Sequence, residues 1–165
     1  AGDAARWRRH AAALYGLVEA GRRRRGQSAS PGDVSRGIKN LLAFEDPSYV
    51  LARDSKAFAC VTHFGNDGHM RDVELLFGFA GVGKTEPSPE QRAQSWQFQK
   101  AVVTFARTGR PEVEGAKWEG YPHVMHLQKS PELKTFKEEL EEFQELKRKI
   151  IADLRINTIL PQNLA

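Results

Sequence analysis

Lys56 to Phe64, KAFACVTHF, is the segment that most restricts what this chain can build. It alternates well enough for a strand, with Phe58, Cys60, Thr62 and Phe64 on one face and Ala57, Ala59 and Val61 on the other. Both faces are mostly apolar, which suits a strand buried in a parallel or mixed sheet. Such a strand is not viable alone, and it needs neighbours that the rest of the chain does not obviously supply. The 165 residues make one domain the default.

Most of the remaining pattern is helical. Residues 4–20 are Ala-rich and place Trp7, Ala11, Leu14 and Val18 at spacings of four, three and four, with Gly21 as the expected stop. Residues 21–33, with four arginines followed by Gly26, Ser28, Ser30, Pro31 and Gly32, read as a linker. Val34 to Phe44 reads as a short helix with Ile38, Leu41 and Leu42 inward, Asp46-Pro47-Ser48 as a turn, and Tyr49 to Ala52 as a further helical segment.

Ser88-Pro89-Glu90-Gln91 is a helix start: Ser at the N-cap, Pro at the first position, and Gln three residues on to complete a capping box. That helix is expected to run to about Thr108, where Gly109 and Pro111 stop it. Ser130-Pro131-Glu132 opens a second, longer one. Leu133, Phe136, Leu140, Phe143, Leu146, Ile150 and Leu154 follow at three-to-four spacing, opposite a face of Glu and Lys. No internal repeat is present.

Charge is unevenly placed. Residues 1–40 carry nine basic side chains against three acidic ones, and the remainder sixteen against eighteen, within a net charge of +4. Arg22, Arg23, Arg24 and Arg25 form a basic run that offers contacts to RNA or acidic lipid, and its plainer reading is a solvated arm. Trp7 among Arg6, Arg8 and Arg9 reads as a packing anchor. No run of eighteen apolar residues occurs, so no transmembrane segment is expected. The single cysteine, Cys60, allows no internal disulfide and favours a reducing compartment. The Arg-rich N-terminus lacks the apolar segment of a signal peptide. Together these features point to an intracellular, organellar setting such as the mitochondrion.

Two motifs compete around residue 78. Gly78-Phe79-Ala80-Gly81-Val82-Gly83-Lys84-Thr85 fits the phosphate-binding pattern G-x-x-x-x-G-K-[ST], with Gly78, Gly83, Lys84 and Thr85 as its fixed positions and Val73 to Phe77 as the strand that should precede it. Pro87 and Pro89 follow at once and would break the helical turn that the motif needs after Lys84. No apolar strand ending in a magnesium-binding Asp accompanies it, so the match reads as a decoy.

The second motif starts at His69, in His69-Met70-Arg71-Asp72, with Phe77-Gly78 at its end. Downstream stand Phe105-Ala106-Arg107-Thr108-Gly109-Arg110-Pro111, then Trp118 and Tyr121, then Val124 to Leu127 and Phe136 to Leu146. In this order the segments resemble the C-terminal part of the type-B carboxylesterase and cholinesterase family over roughly residues 42–147. The resemblance implies an α/β-hydrolase ancestry, with Lys56 to Phe64 as the last core strand. It also implies His69 as the catalytic histidine, and Asp72 stands where the family has Glu. Met70 replaces the family's Gly. No G-x-S-x-G nucleophile elbow is present. Ester hydrolysis of this kind needs a serine, a histidine and an acid together, so His69 alone cannot perform it.

The expected fold is therefore a partial α/β one: mostly helical, with one or two strands, a basic N-terminal helix and a long amphipathic C-terminal helix. The expected divisions are 1–33 as a basic arm and linker, 34–130 as the esterase-like segment, and 131–165 as the amphipathic helix and tail. The function that follows is a non-catalytic, esterase-derived accessory subunit. It would meet other proteins through the apolar faces of 56–64, 89–108 and 131–156. The alternatives are the C-terminal portion of a serine ester hydrolase, with His69 as general base, and a P-loop nucleotide-binding protein. No cofactor is implied. His123 and His126 stand three apart with His63 elsewhere, and too few further ligands are suitably spaced for a zinc site.

Overall fold

The structure, a computed structural model, describes residues 2–63, 71–78 and 88–154. The chain is mostly helical, with a small three-stranded sheet, in keeping with a partial α/β fold. It divides into two compact units, residues 1–47 with 137–165, and residues 48–136. Among the described residues no helix is long and apolar enough to cross a membrane.

The first unit is a helical assembly. Helix α1 (Gly2–Arg24) does not stop at Gly21 but runs through it. Gly21 is buried, and a Cβ there would collide with the Glu139 side chain of helix α6 (Glu138–Leu154), so glycine is present for close approach and not as a terminator. The inward stripe of α1 is rotated from the expected one. Val18 is buried and His10 half-buried, whereas Trp7 is 53% exposed. The two helices run antiparallel: His10 and Arg9, early on α1, meet Asp153, late on α6, while Arg24 and Arg25 meet Glu142 and Glu139.

Helix α2 (Pro31–Asn40) begins where a linker was expected. Ser30 caps it by accepting from the Asp33 backbone N–H, and Pro31 occupies its first turn. It continues into a π-helical turn, Leu41–Glu45, and then into α3 (Asp46–Ser55), so Asp46-Pro47-Ser48 is helical and not a break. The Asp46 N–H donates to the Leu41 carbonyl five residues back. The wider turn brings Leu41 and Asp46 to the same side, and both are buried. Leu42, expected inward, is 48% exposed. Leu140 and Phe143 of α6 are buried within this unit. The apolar face expected to dock partners along 131–156 is thus largely covered by the chain's own helices.

The second unit holds the sheet, in the order β1 (Cys60–Thr62), β2 (His123–Leu127), β3 (Glu132–Thr135). β1 pairs parallel to β2, and β3 pairs antiparallel to β2. Among the described residues β1 has β2 as its one neighbour, so the strand expected to be buried on both faces is instead an exposed edge, with Cys60 and Val61 open to solvent and only three residues in strand conformation. β3 lies where the second long helix was expected to start: Leu133 fits a helical spacing but pairs with Met125 across the ladder, and the helix begins only at Glu138. Helix α4 (Arg71–Leu76) takes in Val73 to Leu76, which the phosphate-loop reading needed as a strand. Helix α5 (Pro89–Thr108) matches its sequence signals closely, with both capping-box hydrogen bonds at Ser88 and Gln91, and Gly109 left-handed at φ 73°. Leu75, Ala101, Val113, Met125 and Leu127 form the core, joined by Phe98, Trp118 and Leu133. Buried Ser95 fastens α5 to α4 by donating to the Leu75 carbonyl at 2.5 Å, and Gln99 adds a bond to the same oxygen.

Candidate functional site

Open α/β sheets place their ligand-handling groups at the carboxyl ends of parallel strands, because loops converge there and the strand backbone fixes their origin. In this chain that position is the end of the β1/β2 pair. Val61 stands beside His126 in the parallel register, and the His63 N–H donates to the Leu127 carbonyl at 2.9 Å. Side chains alternate along both strands, so Val61, His63, His126 and Gln128 share one face, while Met125 and Leu127 project into the core on the other. Glu132 of β3 is the cross-strand neighbour of His126 and joins the same polar face. Its carboxylate meets Lys134 Nζ at 3.0 Å and Gln128 Nε2 at 3.4 Å.

His63 and His126 are directly bonded. Nε2 of His63 lies 2.8 Å from Nδ1 of His126, one ring donating and the other accepting according to tautomer. The ring centroids are 5.0 Å apart and the planes differ by 18°. That separation is about the N–N distance plus one ring radius on each side. The rings therefore meet edge to edge, nearly coplanar, instead of lying face over face.

The residues expected to carry chemistry are not assembled in the described part of the molecule. His69, Gly83, Lys84 and Thr85 lie outside the described residues. Asp72 belongs to α4. Gly78 follows α4 with φ 72°, its N–H bonded to the Leu75 carbonyl, as a C-terminal helix stop. The arginine run is engaged by its own chain. Arg22 donates to the Ser28 carbonyl at 2.6 Å, Arg23 pairs with Glu19 at 2.8 Å, Arg24 with Glu142 at 3.2 Å, and Arg25 with Glu139. Burial pulls the Arg25 guanidinium below its ordinary pKa, with Arg22 and Arg24 adding to the effect and Glu45 opposing it. Its location among like charges is held by those acids.

Sequence reasoning set His63 beside His123 and His126 only as a zinc set with too few further ligands, and 63 positions separate His63 from His126. The signal that links them is the strand register, which is visible only once β1 and β2 are paired. Exposed apolar side chains lie within two of the segments expected to meet other proteins, 56–64 and 89–108. α5 packs Phe98 and Ala101 against Met125, Leu127 and Leu133 of β2 and β3, while Val102 is 41% and Phe105 50% exposed, with Phe105 resting edge-on against Phe58. Val61 on the edge strand is 41% exposed. No protein-family model matches this chain, and no curated protein matches it in sequence.

Proposed function

We propose that the chain is a non-catalytic, esterase-derived subunit that works by completing its second unit against another protein. The observation that carries this reading is the exposed apolar side chains of the second unit, Val61 on one face of edge strand β1, and Val102 and Phe105 on α5, which packs against the other face of the sheet. An edge strand with an apolar flank is a template for further pairing and packing. The missing G-x-S-x-G segment supports the non-catalytic part. Arg22 to Arg25 are engaged by acceptors of their own chain, Arg23 and Arg24 in surface ion pairs, which favours a protein partner over RNA or acidic lipid. The organellar location belongs to the same proposal and rests on the arginines clustered within residues 6–25 and on the lone cysteine.

The test is cross-linking of the native chain followed by mass spectrometry, in parallel with fluorophosphonate labelling of the pure protein. Cross-links concentrated near residues 58–62 and 102–105, with no serine-hydrolase labelling, are the expected result. Labelling of the pure chain would exclude the reading. A second reading is supported by the helical crossover that joins β1 to the parallel β2, since this is the unit from which hydrolase sheets are built. In that case His69 is the general base for a serine carried elsewhere. Ester hydrolysis that survives His69→Ala in the presence of a G-x-S-x-G partner would rule it out.

A further inference from the structure

We infer that His63 and His126 form a two-nitrogen chelate for a divalent transition metal, with copper(II) the preferred ion. The inference stands on the geometry of the pair and is independent of the proposed function. Metal–imidazole bonds of about 2.0–2.1 Å place two cis nitrogens about 2.8–3.0 Å apart in a square-planar site and about 3.3 Å apart in a tetrahedral one. The observed 2.8 Å, a hydrogen-bond separation, equals the N···N distance of the square-planar arrangement. The two rings already sit nearly in one plane. Each ring turns by roughly 45° within its plane for the two lone pairs, now aimed at one another, to converge on an ion beside the line between them. The backbone that carries the rings is held by the β1/β2 ladder, so little ordering entropy opposes binding.

The proton balance is simple. In the metal-free pair one proton lies between Nε2 and Nδ1. On binding, the donor ring takes that proton onto its other nitrogen through solvent, and both facing nitrogens become ligands, so a pair of neutral rings releases no net proton. Among the described residues no group of three or more His, Cys, Asp or Glu side chains is placed to hold a metal. Water or a small anion therefore fills the remaining positions, which favours ions content with two imidazoles. Stability rises toward copper(II) in the divalent series, and imidazole suits both copper and nickel. His63 is exposed, so the ion reaches the site from solvent.

The experiment titrates the full chain with copper(II) at neutral pH. It reads binding by electron paramagnetic resonance and by paramagnetic broadening of the imidazole NMR signals. The expected result is one tight equivalent whose spectrum shows two nitrogen ligands, with the rings of His63 and His126 broadened first. His63→Ala and His126→Ala should each weaken binding roughly tenfold to a hundredfold, while His123→Ala, on the same strand, leaves it unchanged. Nickel(II) should bind more weakly at the same place. Equal copper affinity in the wild type and His63→Ala overturns the inference, as does early broadening of His10 or His123 with His63 and His126 left sharp. Should His126→Ala fail to fold, the exposed His63→Ala variant and the wild-type broadening pattern decide the matter by themselves.

Discussion

Gly21 of α1 faces the side chain of Glu139 at the start of α6, so closely that no Cβ fits between them. This contact explains a glycine in the interior of a helix that otherwise follows helical preferences. In an exposed helix Gly→Ala stabilises by about 0.5–1 kcal/mol. Here the added methyl must displace Glu139 from Arg25, and Gly21→Ala is expected to destabilise by about 1–3 kcal/mol. Thermal melts of Gly21→Ala and of the double variant with Glu139→Ala check this, and the double variant should recover part of the loss.

Asp46 is the polar anchor of the same unit. It is 6% exposed and receives hydrogen bonds from Gln144 Nε2 and, at 2.8 Å, from Lys147 Nζ, both on α6. Asp46→Ala strands the Gln144 amide and the partly solvated Lys147. A loss of about 1–3 kcal/mol is expected in urea unfolding, since removing one partner of a buried bond exposes the other to the full desolvation cost.

Acid should loosen the N-terminus of α2 before it touches the apolar cores. Asp33 accepts from Ser28 Oγ at 2.5 Å and Ser30 Oγ at 2.7 Å, and these bonds hold its carboxyl below the usual carboxylate range, Ser28 contributing most, with Arg22 and Arg36 assisting. A depressed folded-state pKa means that the unfolded chain binds more protons. The stabilisation is thus fully present above the ordinary value of about 3.9 and is lost as pH falls through the lower folded value. The difference in melting temperature between wild type and Asp33→Asn, measured by circular dichroism, should shrink to nothing on the acid side. A difference that persists there would show that the serine bonds do not act through the charge.

Tyr49 should be the most sensitive aromatic position of the second unit. It is 1% exposed and meets Phe136 edge-on at 5.3 Å and Tyr121 at 6.1 Å. Tyr49→Ala is expected to cost about 3–5 kcal/mol, the range for large aromatic truncations, read from the unfolding midpoint.

Phe105→Ser and Val61→Lys test the exposed apolar side chains of the second unit without disturbing the core. Both sites are at least two-fifths exposed, so stability should change by no more than about 0.5 kcal/mol. Cross-linking to the partner protein should be lost in both. Retained cross-linking with unchanged stability would move the interface elsewhere.

What was readable from the residues alone was local. The capping box at Ser88 and Gln91, the Pro89 start and the Gly109 stop define α5, because each depends on groups within four positions of one another. The amphipathic run through Leu140 and Phe143 also belongs to this class. Tertiary structure decided everything that depends on a distant partner. Ser130-Pro131-Glu132 reads as a helix start, yet Glu132 to Thr135 is strand, since pairing with β2 outweighs a weak helical preference. Gly21 reads as a terminator until Glu139 is seen against it, and Asp46 reads as a turn until Lys147 and Gln144 close on it. The His63–His126 pair is the extreme case: spacing along the chain gives no reason to join the two, and only the parallel register of β1 and β2 brings the two nitrogens within bonding distance.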